Sequence, residues 1–350
     1  MKKMSYLGLY LLLMLSLAPA SKAQQAKSKA EYDAYMLFYN EQNPQKKGEA
    51  AEKFLGDPAY KDSEFKPPAF QGAVIAYRGA QNWPKVMEIA DKLPDLFPTA
   101  DDTVKGFAYE NAMVAAQQAG NFEKIVEYGD KVLGINPNNL NAQITLSSML
   151  PERLPADEAA KKAALDRALD LASKAQAQVP QIFAQKPAQF TDEQWTKERT
   201  NLEGQLNATL GLIHLNRSEY DLSSQKYETA LKTNPKDGVS QYRLGLAYQY
   251  QANDAIKSVL AAITAENEAK AARAEEAVVN DLVAKRSALE TDARAKRDKA
   301  IDSFARAVAI GGVVAQPARD QLERLYKAKN NDVLDGLDQL ITEKKTELGV

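Results

Sequence analysis

The sequence contains no cysteine and one histidine, His214. Without thiols there is no disulfide framework and no thiolate nucleophile. With one imidazole, a zinc site built from the usual His and Cys ligands is excluded. A Ser-His-Asp triad has to use His214, and no G-x-S-x-G turn is present to raise a serine beside it. Gly-rich phosphate loops are also missing. Charge of one sign is lacking too: 45 Lys and Arg stand against 47 Asp and Glu, a formal net charge of −2. That balance argues against a general nucleic-acid binder, which carries a basic field. Long apolar runs are scarce. Residues 6–17 form a run of 12, short of the ~20 residues that span a bilayer. No later stretch is apolar enough to cross one.

What is present begins at the N-terminus. Lys2 and Lys3 precede that apolar run, and Ala18-Pro19-Ala20 and Ser21-Lys22-Ala23 follow it with small residues at cleavage spacing. This order matches a secretory signal peptide over 1–23, cut after Ala23. The remaining chain, 24–350, carries a formal charge of −5 once Lys2, Lys3 and Lys22 are gone. No cysteine is available for a lipid anchor. The expectation is an exported, soluble protein, periplasmic or secreted.

Leu210-Gly211 recurs as Leu244-Gly245, 34 residues later. Between them lie Ser218, Tyr220, Tyr227, Ala230 and Asn234-Pro235. Gly211 and Ala230 allow two helices to approach closely. Tyr220 and Tyr227 fill the space beside them. Pro235 ends the second helix and disfavours helix at Asn234. The unit resembles the tetratricopeptide repeat (TPR) family in period and in the size of residue at each slot. Asn207 stands in place of the family's Trp, His214 in place of a packing Tyr, and Ser223 in place of Ala. His214 then reads as a side chain that fills a packing slot.

Looser copies of this grammar cover nearly all of the chain. Gly120-Asn121-Phe122 leads to Asn136-Pro137, and Gln81-Asn82-Trp83 leads to Phe97-Pro98. Apolar residues return at three- and four-residue steps, with little competing strand signal. The fold class is all-α. The resemblance implies a right-handed superhelical solenoid of about seven helical hairpins, each burying its apolar face on its neighbours. N-terminal hairpins span 24–177, a loop with two prolines spans 178–190, and C-terminal hairpins span 191–350. Thr191 with Gln194 has the pattern of a capping box.

The last repeat is interrupted. After Leu244-Gly245 and Tyr248, the second helix resumes only at Ala300, Phe304 and Ala307. Residues 251–300 hold no Gly, Pro or aromatic, and 15 of the 50 are Ala, a strongly helical composition. An inserted helical hairpin over about 252–294 is expected, turning near 266–272. In it, Ile256, Leu260 and Ile263 would face Val278, Leu282 and Leu289. One continuous helix to about residue 310 is the alternative.

Other candidate chemistry gives way to plainer readings. Glu266, Glu268, Glu275 and Glu276 lie in the charged insertion and read as a solvated face. Asn331 to Gly336 lacks the ligands of a calcium loop. The basic residues Arg294, Lys296, Arg297 and Lys299 are interrupted by Asp298. The sequons at Asn207 and Asn216 fall inside a packed repeat. No catalytic, metal or cofactor-binding constellation emerges.

A surface remains. In the TPR family the first helix of each hairpin lines a groove that holds peptides or partner domains. By resemblance, that groove draws here on Gln71, Arg78, Glu110, Gln117, Asn141, Tyr242, Gln249 and Tyr250. The family's carboxylate clamp is not matched. The expected function is a non-catalytic exported scaffold that binds a protein or peptide in the cell envelope, through the groove, the inserted hairpin, or both. The alternative is binding of an envelope glycan or other small ligand by aromatics such as Tyr242, Tyr250, Trp83 and Trp195.

Overall fold

The computed structural model describes residues 26–350; the expected signal peptide lies outside the described residues. Among these there are fifteen α-helices and no strand. The chain forms two compact units, divided between Met149 and Leu150. Unit 1 holds α1 (Lys29–Asn40), α2 (Pro44–Gly56), α3 (Lys66–Gly79), α4 (Trp83–Asp91), α5 (Leu93–Leu96), α6 (Asp102–Ala119), α7 (Phe122–Ile135) and α8 (Leu140–Met149). Unit 2 holds α9 (Glu158–Ile182), α10 (Asp192–Asn216), α11 (Tyr220–Thr233), α12 (Gly238–Ala271), α13 (Glu276–Ile310), α14 (Ala315–Lys329) and α15 (Leu337–Leu348). Five hairpins lie wholly within a unit, α1/α2, α3/α4 and α6/α7 in the first and α10/α11 and α12/α13 in the second; α14 and α15 each pack against α13. α8 and α9 flank the division.

Local sequence starts these helices. Asn43, Asn82, Asp101, Asn121, Asp157 and Thr191 each accept a hydrogen bond from a backbone N–H in the first turn, satisfying donors that have no partner inside the helix. At α10 the capping box is complete, with Gln194 reaching back to Thr191 N–H at 2.9 Å. The turns inside three hairpins share one geometry. Gln81, Gly120 and Ser218 take left-handed φ of 55°, 69° and 61°. The next residue's N–H then bonds five residues back: Asn82 to Tyr77, Asn121 to Ala116 and Glu219 to His214, each at 2.9 Å. This is how a helix end satisfies its last carbonyls before the chain reverses.

Packing follows a small-against-large rule. Tyr77, Tyr128, Phe70 and Met113 fill the core of unit 1, and Tyr227, Phe304, Leu206 and Ile213 that of unit 2. A Cβ on Gly211 would stand 2.9 Å from the Tyr227 ring, and one on Gly245 2.7 Å from the Phe304 ring. The glycine thus marks where each aromatic side chain lands. Tyr227 follows Gly211 by 16 residues, whereas Phe304 follows Gly245 by 59. The difference of 43 is the length of the insertion.

The insertion is a hairpin: α12 and α13 pack antiparallel along their length and turn at 272–275, with Arg273 at φ 52°. Two details differ from the sequence reading. The turn starts only at the last residue of the expected 266–272, because Ala269 and Ala271 favour helix and Lys270 pairs back to Glu266 at 2.5 Å. The expected apolar stripes do not meet. Ile256, Leu260 and Val278 are exposed, while Ala255, Ala262, Ala293 and Glu266 are buried. Alanine lets the two backbones come close, and the stripe on α12 lies one residue, or about 100°, off the seam.

The expected loop at 178–190 is shorter. α9 continues to Ile182 with Pro180 inside it, so close to the end that only the final turn loses a hydrogen bond. In the remaining loop, Phe183 and Phe190 lie against Trp195, ring centroids 4.5 and 5.2 Å away.

Candidate functional site

On α3, Gln71, Ile75 and Arg78 recur at i, i+4 and i+7 and share one face; on α6, Glu110, Val114 and Gln117 do the same. A hydrogen bond ties the two helices together, and a second, within α6, fixes its acceptor. Arg78 Nη1 donates to Asn111 Oδ1 at 3.0 Å, and Asn111 Nδ2 donates to Phe107 O at 2.8 Å. From α6 the chain of contacts passes to the start of α8. Asn139 Nδ2 donates to Glu110, while Asn139 Oδ1 accepts from Ala142 N at 2.9 Å and caps α8. Burial pushes the Glu110 carboxyl above the usual carboxylate range, and the Asn139 bond works against that. Asn141 follows on α8, exposed.

Gln71, Arg78, Glu110 and Gln117 are half-buried. The residue that sequence reading passed over is Ile75, 55% exposed in the middle of this polar row. Its position was readable, since it stands one helical turn from both Gln71 and Arg78. Leu37, on the neighbouring α1, is also exposed; the adjacent Phe38 fits against Gly72 of α3.

The three candidates of unit 2 do not converge. The half-buried Tyr242 places its ring 5.8 Å from that of Phe304. Gln249 is 6% exposed and donates to Gln321 Oε1 on α14 at 3.3 Å. Tyr250 is exposed and stacks on Tyr220 at 4.8 Å. Tyr220 in turn lines an open cleft of about 380 Å³, together with Glu219, Gln251, Asp254, Asp292 and Lys296.

His214 is part of a clip at a hairpin turn. Its Nδ1 lies 2.6 Å from Glu219 Oε2. Arg217 Nε donates to Glu219 Oε1 at 2.9 Å and the same guanidinium pairs with Asp166 of α9. Burial alone would raise the Glu219 carboxyl, but the bonds from His214 and Arg217 hold it below its ordinary range. The ring occupies the slot that Tyr77 and Ala116 hold before the equivalent turns. The sequon residues are also engaged. Asn207 Nδ2 donates to Glu203 O at 2.8 Å, and Asn216 Nδ2 to Pro151 O at 2.9 Å. Among the described residues, no group of three or more His, Cys, Asp or Glu is placed to hold a metal ion, and no helix is long and apolar enough to cross a membrane.

The repeats that begin at Leu210 and Leu244 each pair a glycine of the first helix with an aromatic of the second, and the same reversed turn recurs in both units of the chain. The architecture is TPR-like. No family model matches the sequence, and no curated protein matches it. Similar solved structures include a tetratricopeptide repeat protein from Parabacteroides merdae ATCC 43184, with 11% identity, a TM-score of 0.41, and coverage of 85% of this chain and 100% of that one. Another is the APC/C hetero-tetramer Cut9-Hcn1, with 15% identity, a TM-score of 0.25, and coverage of 85% of this chain and 56% of that one. In the TPR-like hairpins of unit 1, the first-helix face is where an apolar side chain stands exposed among fixed polar groups.

Proposed function

We propose that this chain is a non-catalytic scaffold of the cell envelope that holds a partner protein or peptide on the first-helix face of unit 1. The observation that carries the reading is Ile75. It is a large apolar side chain open to solvent, flanked on its own helix by Gln71 and by Arg78, which is hydrogen-bonded to Asn111 of α6. Apolar surface framed by polar groups already held in place suits an extended segment: the apolar contact supplies affinity, and the ordered polar groups set orientation at little further entropic cost. The signal-like N-terminus supports export and a periplasmic location.

The test is a crosslinking pull-down from intact envelope with the unaltered chain, Ile75→Glu and Gln71→Ala. A specific partner captured by the unaltered chain and lost with Ile75→Glu, at unchanged helical circular dichroism, supports the proposal. Equal capture by Ile75→Glu sinks it. A second reading rests on the Tyr220–Tyr250 stack beside the 380 Å³ cleft, a platform suited to a sugar ring. Glycan-array binding abolished by Tyr220→Ala, with Ile75→Glu unaffected, would select that reading.

A further inference from the structure

The inserted hairpin has an apolar face that its own seam does not use. Along α12 the seam follows Ala255, Val259, Ala262, Glu266 and Ala269, a repeat of four and three residues. Across it Glu266 Oε2 accepts from Arg286 Nε at 2.8 Å, and Ala293 is buried from the α13 side. One residue further on at each step stand Ile256, Leu260 and Ile263. Ile256 is 47% and Leu260 59% exposed, and Ile263 is half-buried. Such a row on a helix otherwise rich in Ala and charge exposes apolar area without stabilising the hairpin that carries it.

The charges of the hairpin are segregated along its length. The tip, residues 264–282, carries five acidic and two basic side chains, a net −3. The base, residues 253–263 with 283–299, carries seven basic and four acidic side chains, a net +3. Two copies lying side by side in the same direction would set tip against tip and base against base, like charge on like. Turned end for end, each acidic tip lies along the basic base of the other.

The apolar row has the same symmetry. A two-fold axis at Leu260 places that residue on its own counterpart. It also sets Ile256, four residues before, near Ile263, three residues after. An isologous contact needs this self-complementarity.

We propose that the occupant of this face is a second copy of the chain. The two inserted hairpins pack antiparallel into a four-helix bundle, with Ile256, Leu260 and Ile263 at its centre. Asp281 and Glu268 of one copy then lie level with Lys296 and Arg297 of the other. The contact is independent of the unit 1 face, so it stands or falls without the partner proposed above.

The test uses the absence of cysteine. Leu260→Cys and Val278→Cys are each introduced as the sole thiol in the full chain, and disulfide formation under mild oxidation is read on a non-reducing gel. Sedimentation of the unaltered chain and of Leu260→Glu gives the association constant. Val278, 48% exposed against 59% for Leu260, stands on the other helix, away from the two-fold axis, and controls for random collision. The expected result is a dimer that crosslinks readily through Cys at 260 and poorly through Cys at 278. Leu260→Glu should weaken it at least about tenfold by burying a charge, and added salt should weaken it by screening the tip–base attraction. A chain that stays monomeric at 100 µM (a concentration of the test) refutes the proposal. So does equal crosslinking at 260 and 278, or an association constant that Leu260→Glu leaves unchanged. Ile75→Glu should leave the dimer intact.

Discussion

Gly245→Ala isolates the packing rule that sets the fold of the last repeat. The substitution adds one methyl group in mid-helix. Helix propensity alone favours it by about 0.8–1 kcal/mol. At this position the new Cβ would stand 2.7 Å from two ring carbons of Phe304, nearly 1 Å inside ordinary contact. Phe304 is wholly buried, so its ring cannot swing away without moving its neighbours. Overpacking of this kind costs about 1–3 kcal/mol, and a full-ring clash belongs toward the upper end. The net expectation is destabilisation of unit 2 by about 1–2 kcal/mol. Gly106 is the matched control. It lies within α6, and a Cβ there meets nothing within 4 Å, so Gly106→Ala should stabilise unit 1 by about 0.5–1 kcal/mol. The two tryptophans separate the readouts. Trp83 belongs to unit 1 and Trp195 to unit 2, so Trp83→Phe and Trp195→Phe backgrounds report each unit in urea titrations. Opposite signs for one chemical change at two glycines are the prediction. If Gly245→Ala proves as stabilising as Gly106→Ala, the glycine–aromatic contact is not what sets the spacing of these helices. Restoration of stability in Gly245→Ala combined with Phe304→Leu would locate the clash in the ring.

Other expectations follow from single contacts. Glu52 is partly buried, which alone raises its carboxyl, but Tyr77, Lys85 and Lys92 hold it below the ordinary range. Its contribution to unit 1 is therefore complete above the unfolded carboxylate pKa of about 4.3 and is lost as pH falls through the lower folded value. The melting temperature of the unaltered chain minus that of Glu52→Gln should shrink from pH 6 to pH 3 (conditions of the test), and a constant difference would contradict this. Phe304→Ala removes a fully buried ring and should cost unit 2 about 3–5 kcal/mol in chemical denaturation; a loss under about 1 kcal/mol would show that the site collapses freely. Removing residues 254–294 and closing the gap with a short glycine turn should leave a cooperative thermal transition in unit 2, because the insertion leaves and rejoins one hairpin at its turn. Loss of that transition would make the insertion part of the core.

Much of the architecture was legible because it rests on residue size at fixed spacing. Leu210-Gly211 and Leu244-Gly245, their aromatic partners and the closing Asn234-Pro235 each do one job that the physics of helix packing requires. The capping box at Thr191 and Gln194 is equally local. The missed features depend on which of two adjacent faces turns inward. In α12 the larger side chains, Ile256 and Leu260, were natural choices for the seam, yet the alanines one residue away are buried. A run of Ala carries too little contrast in hydrophobicity to announce a face. The first-helix candidates show the same limit. Spacing placed Gln71 and Arg78 on one row and, by the same spacing, Ile75 between them. In unit 2 the spacing of Tyr242, Gln249 and Tyr250 could not show that Phe304, Gln321 and Tyr220 would each claim one of them. Pro180 misled for a different reason: a proline near a helix end removes a bond from the last turn only.

The helices of the insertion are the helices of the host repeat, prolonged. From Leu246 to Ile310 there is neither glycine nor proline, and the only interruption is the turn at the tip. In mechanical terms the hairpin is a lever without a hinge at its root. With an arm on the order of 30 Å at 1.5 Å per residue, a sideways pull of about 5 Å at the tip is a rotation of about 10° at the base. That rotation is delivered to Tyr248, Phe304 and Gly245, where helix separation is set by a ring lying on a glycine. Load applied far from the core therefore arrives at a glycine–ring contact that has no room for one more carbon.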